Sequence, residues 1–148
     1  MKHFRFVLAA AVISLVTAIS AQAEPGWLTD YQQAQQLAKA NHKLLLLDFT
    51  GSDWCGWCIR LRREVFSKPE FQQYANKNLV LMEVDFPRQK QQTETVRLQN
   101  EKLARQYGIQ GFPTILVLND AGQIVGALGY VQGGPNAFVA ELEKLRKS

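Results

Sequence analysis

Cys55-Gly56-Trp57-Cys58 puts two thiols three residues apart, and they are the only cysteines in the chain. Side chains at that spacing on a helix have Cβ atoms roughly 5–6 Å apart, within reach of a disulfide after little adjustment. Such a pair can open and close without unfolding the protein around it. The sequence before it, Leu44 to Phe49, is an apolar run of strand length, and Thr50-Gly51-Ser52-Asp53 then breaks the pattern and supplies cap residues. The first thiol therefore stands where a strand ends and a helix begins. Free backbone N–H groups and the positive helix end favour thiolate there. This assigns the two sulfurs different tasks. Cys55, at the exposed start, is the nucleophile that attacks a disulfide, and Cys58, one turn inward, resolves the mixed disulfide that results.

Two other uses of the pair remain open. As a plain staple, a four-residue loop would contribute only about 2 kcal/mol through chain entropy. As a metal site it is short of ligands, because four are usual and the mature chain adds only His42, unless two chains share one ion. A c-type haem attachment is excluded, since Ile59 and not His follows Cys58.

The start of the chain sets the redox context. Lys2 and Arg5 precede Phe6 to Ile19, a run without charge, and small residues follow as far as Ala21-Gln22-Ala23. This is the layout of a secretory signal peptide over residues 1–23, leaving 24–148 as the mature domain. The apolar run is short of the ~20 residues of a permanent span, so no stable membrane insertion is expected after cleavage. The expected location is an exported compartment, most simply a bacterial periplasm. Disulfides persist there, so a working dithiol needs an upstream membrane or periplasmic redox partner.

Composition agrees with one small globular domain: 148 residues, 47% hydrophobic and 20% charged. Seventeen Lys and Arg oppose 13 Asp and Glu, and two of the cations lie in the leader. The remaining balance is too mild to imply nucleic acid.

Patterning supplies the elements that position the thiols. Thr29 or Asp30 can cap a helix to about Ala40, and a second helix is expected from about Cys55 to Phe66, with Cys58, Leu61 and Val65 inward. A short helix about Pro69 to Asn76 leads to a strand at Leu79–Asp85, and a polar loop covers Pro87–Thr93. A helix from Glu94 to Tyr107 stops at Gly108, and Ile115 to Leu118 forms a third strand. Asn119-Asp120-Ala121-Gly122 turns the chain into an antiparallel strand, Gln123 to Leu128, before a helix from Asn136 to Arg146. The expectation is an α/β fold with a central mixed β-sheet flanked by helices.

Trp54-Cys55-Gly56-Trp57-Cys58 resembles the WCxxC active site of the thioredoxin superfamily, and Tyr107-Gly108-Ile109-Gln110-Gly111-Phe112-Pro113-Thr114 resembles its second hallmark, a loop ending in a cis-proline before a strand. The match covers nearly the whole mature chain. Val65-Phe66-Ser67-Lys68-Pro69-Glu70-Phe71 and the leader look closest to exported members related to the C-terminal domain of the membrane carrier DsbD. The resemblance implies a thioredoxin fold and thiol–disulfide exchange with protein thiols and disulfides, without a bound cofactor. It also implies that Phe112 and Pro113 line a groove beside Cys55, where an extended substrate segment pairs as an added strand does. Trp54, Gly56 and Trp57 complete the expected substrate contacts, with the tryptophans read either as a docking rim or as packed side chains.

Departures from the family pattern leave questions open. Asp48 falls near the buried acid that assists the resolving cysteine, yet Gly51 lengthens the connection to the motif by one residue. Asp48 is read either as that proton-transfer acid or as an acid satisfying backbone groups at a strand end. The family's lysine on the next strand is absent, since Leu79–Val84 offers only Glu83. Arg60, Arg62 and Arg63 are read either as charges favouring thiolate or acidic partners or, by preference, as a solvated helix face. Trp57 stands where reducing thioredoxins commonly carry proline, so direction is not inherited from the motif. Reductase is the favoured direction, with oxidase or isomerase, and a non-catalytic binding module, as the alternatives.

Overall fold

The computed structural model describes residues 26–147, so the leader reading, residues 1–23, lies outside the described residues. Four strands form one sheet in the order β2-β1-β3-β4. They are β1 (Leu44–Thr50), β2 (Leu79–Asp85), β3 (Thr114–Leu118) and β4 (Ile124–Leu128). β1 runs parallel to β2 and antiparallel to β3, and β4 returns antiparallel to β3. The sheet is mixed, and its helices cover both faces.

The continuous apolar run of β1 follows from that central place. Alternate side chains of a strand point to opposite faces. Leu46 joins Leu61, Val65, Phe66, Phe71, Phe138 and Leu142 on one side, while Leu45, Leu47 and Phe49 meet Ala34, Ala38 and Leu103 on the other. The first group comes from α2 (Gly56–Leu61), the π-helical turn Arg62–Phe66 that continues it, α3 (Pro69–Asn78) and α5 (Gly134–Lys147). The second comes from α1 (Tyr31–Asn41) and α4 (Glu94–Gln106). Truncating a fully buried ring such as Phe138 to alanine would cost about 3–5 kcal/mol.

Local chemistry sets the helix ends. The Asp30 carboxylate accepts the Gln33 N–H at 2.8 Å to start α1, and His42 closes it in the left-handed region at φ 51°. The Thr93 hydroxyl accepts the Val96 N–H to start α4. In the β3–β4 turn, Asn119 Oδ1 accepts from the N–H groups of Ala121 and Gln123, and Gly122 takes φ 80°.

Two features differ from the sequence reading. The helix after Cys55 is not one α-helix to Phe66: it gives way at Arg62 to the π-helical turn. Apolar spacing cannot report that extra residue per turn. Residues before α1 also join the sheet edge, with Leu28 N–H donating to Leu81 O and Glu83 N–H donating to Leu28 O, both at 2.9 Å. That short pairing covers part of the otherwise open edge of β2. No helix among the described residues is long and apolar enough to cross a membrane.

Candidate active site

β1 delivers the chain to the site, and Gly51 shapes the turn that follows. The N–H groups of Trp54 and Cys55 both donate to Gly51 O, at 3.2 and 2.8 Å. A Cβ on Gly51 would lie 2.5 Å from the Trp54 ring, so only glycine lets the indole fold back over the turn. The residue that seemed to lengthen the connection is thus the floor beneath Trp54. The ring is fixed by donation from Nε1 to Phe86 O at 2.8 Å and by an edge contact with Phe112, centroids 6.0 Å apart.

Cys55 is the N-cap of α2, in extended conformation, and its sulfur accepts the Cys58 N–H at 3.3 Å. The two cysteines are joined in a disulfide with Cα atoms 5.2 Å apart. Both cysteines are buried, Cys55 8% and Cys58 4% exposed as residues. Beside Cys55 runs a groove of about 410 Å³ lined by Trp54, Cys55, Ile109, Gln110, Gly111 and Phe112. The Phe112–Pro113 peptide bond is cis, and the Phe112 ring stacks on Phe86 with centroids 5.1 Å apart.

Between the two cysteines, Trp57 is 56% exposed and touches Tyr130, with centroids 5.1 Å apart. The Arg60 guanidinium lies over both rings and donates to Glu64 at 2.9 Å, while the Tyr130 hydroxyl donates to the other Glu64 oxygen. The Tyr130 hydroxyl and Arg60 hold the Glu64 carboxyl below its usual range. Of the two tryptophans, Trp57 offers the open face, and Trp54 is half-buried as a wall of the groove.

Asp48 lies two residues beyond Leu46 on β1 and so faces the α2 side of the sheet, the side on which Leu61 and Val65 pack. It is 3% exposed, and its Oδ1 has no hydrogen-bond partner. Burial pushes its carboxyl up to about 7; the Arg62 charge opposes the shift, and the charges of Glu83 and Asp85 add to it. Glu83 is the direct register partner of Asp48 on β2. Arg62 donates to Glu83 at 2.8 Å and lies over the Trp27 ring, 5.6 Å from its centroid.

Arg62 therefore does not belong to a solvated face with Arg60 and Arg63. The π-helical turn begins at this residue, and its side chain reaches the β2 edge instead. A cation missing from β2 itself is supplied from the neighbouring helical turn. The contacts Tyr130–Glu64, Arg62–Glu83 and Trp54–Phe86 each close a separation of more than 20 residues, and no local pattern in the sequence reports them. Among the described residues, no group of three or more His, Cys, Asp or Glu side chains is placed to hold a metal ion.

Comparison with known proteins gives concordant matches. A family described as thioredoxin-like domain matches residues 31–146. A disulfide bond reductase, DsbH, from Chlamydia pneumoniae is 36% identical over 117 residues, covering 79% of this chain and 70% of that protein. A solved structure of a DsbH oxidoreductase superposes with a TM-score of 0.80 at 33% identity, covering 93% of this chain and 95% of the other. The C-terminal domain of DsbD from Neisseria meningitidis, in its oxidised form, shares the fold with a TM-score of 0.58 at 20% identity, covering 82% of this chain and all of that one.

Proposed function

The chain belongs to the thioredoxin-like domain family and is a thiol:disulfide oxidoreductase, and from that premise we propose that it reduces protein disulfides in an exported compartment. The observation that carries this reading is the Cys55–Cys58 disulfide at a helix N-cap, opening beside a groove walled by Trp54 and Phe112. The reductase direction is further supported by the relative named a disulfide bond reductase. Export rests on the layout of residues 1–23, and the periplasm is the compartment proposed.

In the reduced protein, the Cys55 thiolate attacks one sulfur of a substrate disulfide held in the groove. A Cys55–substrate disulfide forms, the substrate bond breaks, and the departing sulfur takes a proton from water. Cys58 then loses its proton and attacks the Cys55 sulfur. The second substrate thiolate departs and is protonated, leaving two substrate thiols and the Cys55–Cys58 disulfide. Two electrons have passed to the substrate. The sulfurs carry them, so the reading calls for no bound cofactor. A dithiol of an upstream partner returns both electrons by the same exchange in reverse.

Asp48 is the proposed acceptor of the Cys58 proton. A carboxyl raised to about 7 by burial is poised to take and release protons near neutral pH, and its free Oδ1 faces no competing donor. Arg62, paired with Glu83, keeps that acid from being raised further. In the groove, the backbone before Pro113 pairs with the extended substrate, and the exposed Trp57 ring between the cysteines offers a further apolar surface.

The test is to mix the reduced protein with a disulfide-bonded protein such as insulin and count thiols on both sides. Two substrate thiols should appear for each Cys55–Cys58 pair oxidised. Cys55→Ser should abolish transfer, and Cys58→Ser should arrest it as a mixed disulfide visible without reductant. Transfer that persists in Cys55→Ser would overturn the reading.

A further inference from the structure

The loop after β2 is tied to the segment that carries the disulfide. The Asp53 carboxylate, immediately before Trp54, accepts three backbone N–H groups: Arg88 at 2.9 Å on one oxygen, Gln89 and Lys90 at 2.8 Å on the other. These bonds, that of Arg88 first, hold its carboxyl below the usual range. Phe86 adds the carbonyl that accepts Trp54 Nε1 and the ring that stacks on Phe112. Backbone and ring together fix where the loop can aim its side chains.

The result is a guanidinium stacked on one wall of the groove. Arg88 lies over the face of Trp54, 3.7 Å from the ring centroid, while the next cation, Lys90, turns to Asp85 at 3.3 Å. Among the described residues, no carboxylate pairs with the Arg88 guanidinium, and the residue is exposed. Arg60 differs: its guanidinium is matched by Glu64 and flanked by Trp57 and Tyr130. On the Trp54 side, the Asp53 carboxylate is engaged by backbone N–H groups and Asp85 by Lys90, which leaves the Arg88 guanidinium without a carboxylate partner among the described residues.

We propose that Arg88 is a specificity-determining residue, selecting extended disulfide-bearing segments that carry Asp or Glu within about two residues of the cysteine that Cys55 attacks. The proposal rests on the groove being the substrate site. A guanidinium offers planar paired donors suited to a carboxylate, and one already stacked on an anchored ring needs little further ordering to bind. Trp54 and Cys55 line the same groove, so an anion held by Arg88 would lie on a residue that the substrate segment also meets.

The experiment compares two disulfide-bonded peptides that differ only in Glu or Lys next to the cysteine, with the reduced protein and kcat/KM as readout. The wild-type protein should favour the Glu peptide by about threefold at low salt, the size expected of one partly exposed ion pair. The preference should shrink at high ionic strength. Arg88→Gln should bring the ratio close to one, and Arg88→Glu should invert it. Equal rates for the two peptides with wild-type protein, or a Glu preference that survives Arg88→Glu, would overturn the assignment while leaving the oxidoreductase reading intact. Failure of the wild-type protein to reduce either peptide would instead overturn the groove reading and this proposal with it.

Discussion

Asp48 and Glu83 are direct partners in the parallel register of β1 and β2, so two carboxyl groups share one face of the sheet on the side of the helix that carries Cys58. Two adjacent negative charges with one of them buried would be unfavourable, and the arrangement answers this in two ways. Glu83 is paired with Arg62, and Asp48 holds its proton to about pH 7. A stability consequence and a kinetic one follow from this pair.

The stability consequence concerns pH. The folded Asp48 carboxyl is raised to about 7 from an ordinary 3.8, so between those values the native state binds a proton that the unfolded chain releases. Stability from this group is therefore full below the unfolded value and is lost as pH rises through the folded one. Asp48→Asn removes the titration. Relative to that variant, the oxidised wild-type protein should lose about 2–3 kcal/mol between pH 5 and pH 8, read from urea unfolding at both pH values. Parallel pH profiles for the two proteins would contradict the buried, proton-holding Asp48.

In kinetics, Arg62 and Glu83 should act in opposite directions. The Arg62 charge lowers the Asp48 carboxyl and the Glu83 charge raises it. Arg62→Gln should shift the pH midpoint of mixed-disulfide resolution to higher pH, and Glu83→Gln should shift it to lower pH. Rapid-quench measurement of the resolving step across pH 5–9 checks this. Loss of rate without a change of midpoint in both variants would mean the pair serves packing alone.

Gly51→Ala should disturb the site from below. The added Cβ meets the Trp54 ring at 2.5 Å, so the indole must leave its place and give up donation to Phe86 O. Overpacking of this kind costs about 1–3 kcal/mol. The expected outcome is a lower urea midpoint together with reduced kcat/KM on protein disulfides. An unchanged midpoint would show that Trp54 has another position open to it.

Much of this was legible in the sequence because burial writes a strong pattern. The run Leu44 to Phe49 could only be a strand covered on both faces, and Cys55 after a strand and a turn could only open a helix. The family resemblance singled out Asp48, and its neighbours Leu44–Leu47 and Phe49 predicted the burial that the structure shows. What the sequence could not report were contacts set by distance along the chain. Arg62, four residues after Cys58 and three before Val65, borders the inward stripe of its helix, but nothing local names Glu83, 21 residues ahead, as its partner. Asp53 reads as an ordinary turn residue, and nothing local says that its partners are 35 to 37 residues ahead. Gly51 looked like an insertion because the ring it accommodates arrives only once the turn has folded.

The most direct test of the proposed function is the reduction potential of the Cys55–Cys58 pair, obtained by equilibrating the protein against thiol buffers. About 30 mV corresponds to roughly 1.4 kcal/mol for this two-electron couple, so the measurement separates the directions well. A protein that reduces substrates should have a potential below about −230 mV, where the disulfide is the stable form and the dithiol is a donor. A value near −150 mV would make the dithiol the stable form, contradict the reductase assignment, and identify the protein as an oxidase or isomerase on the same fold.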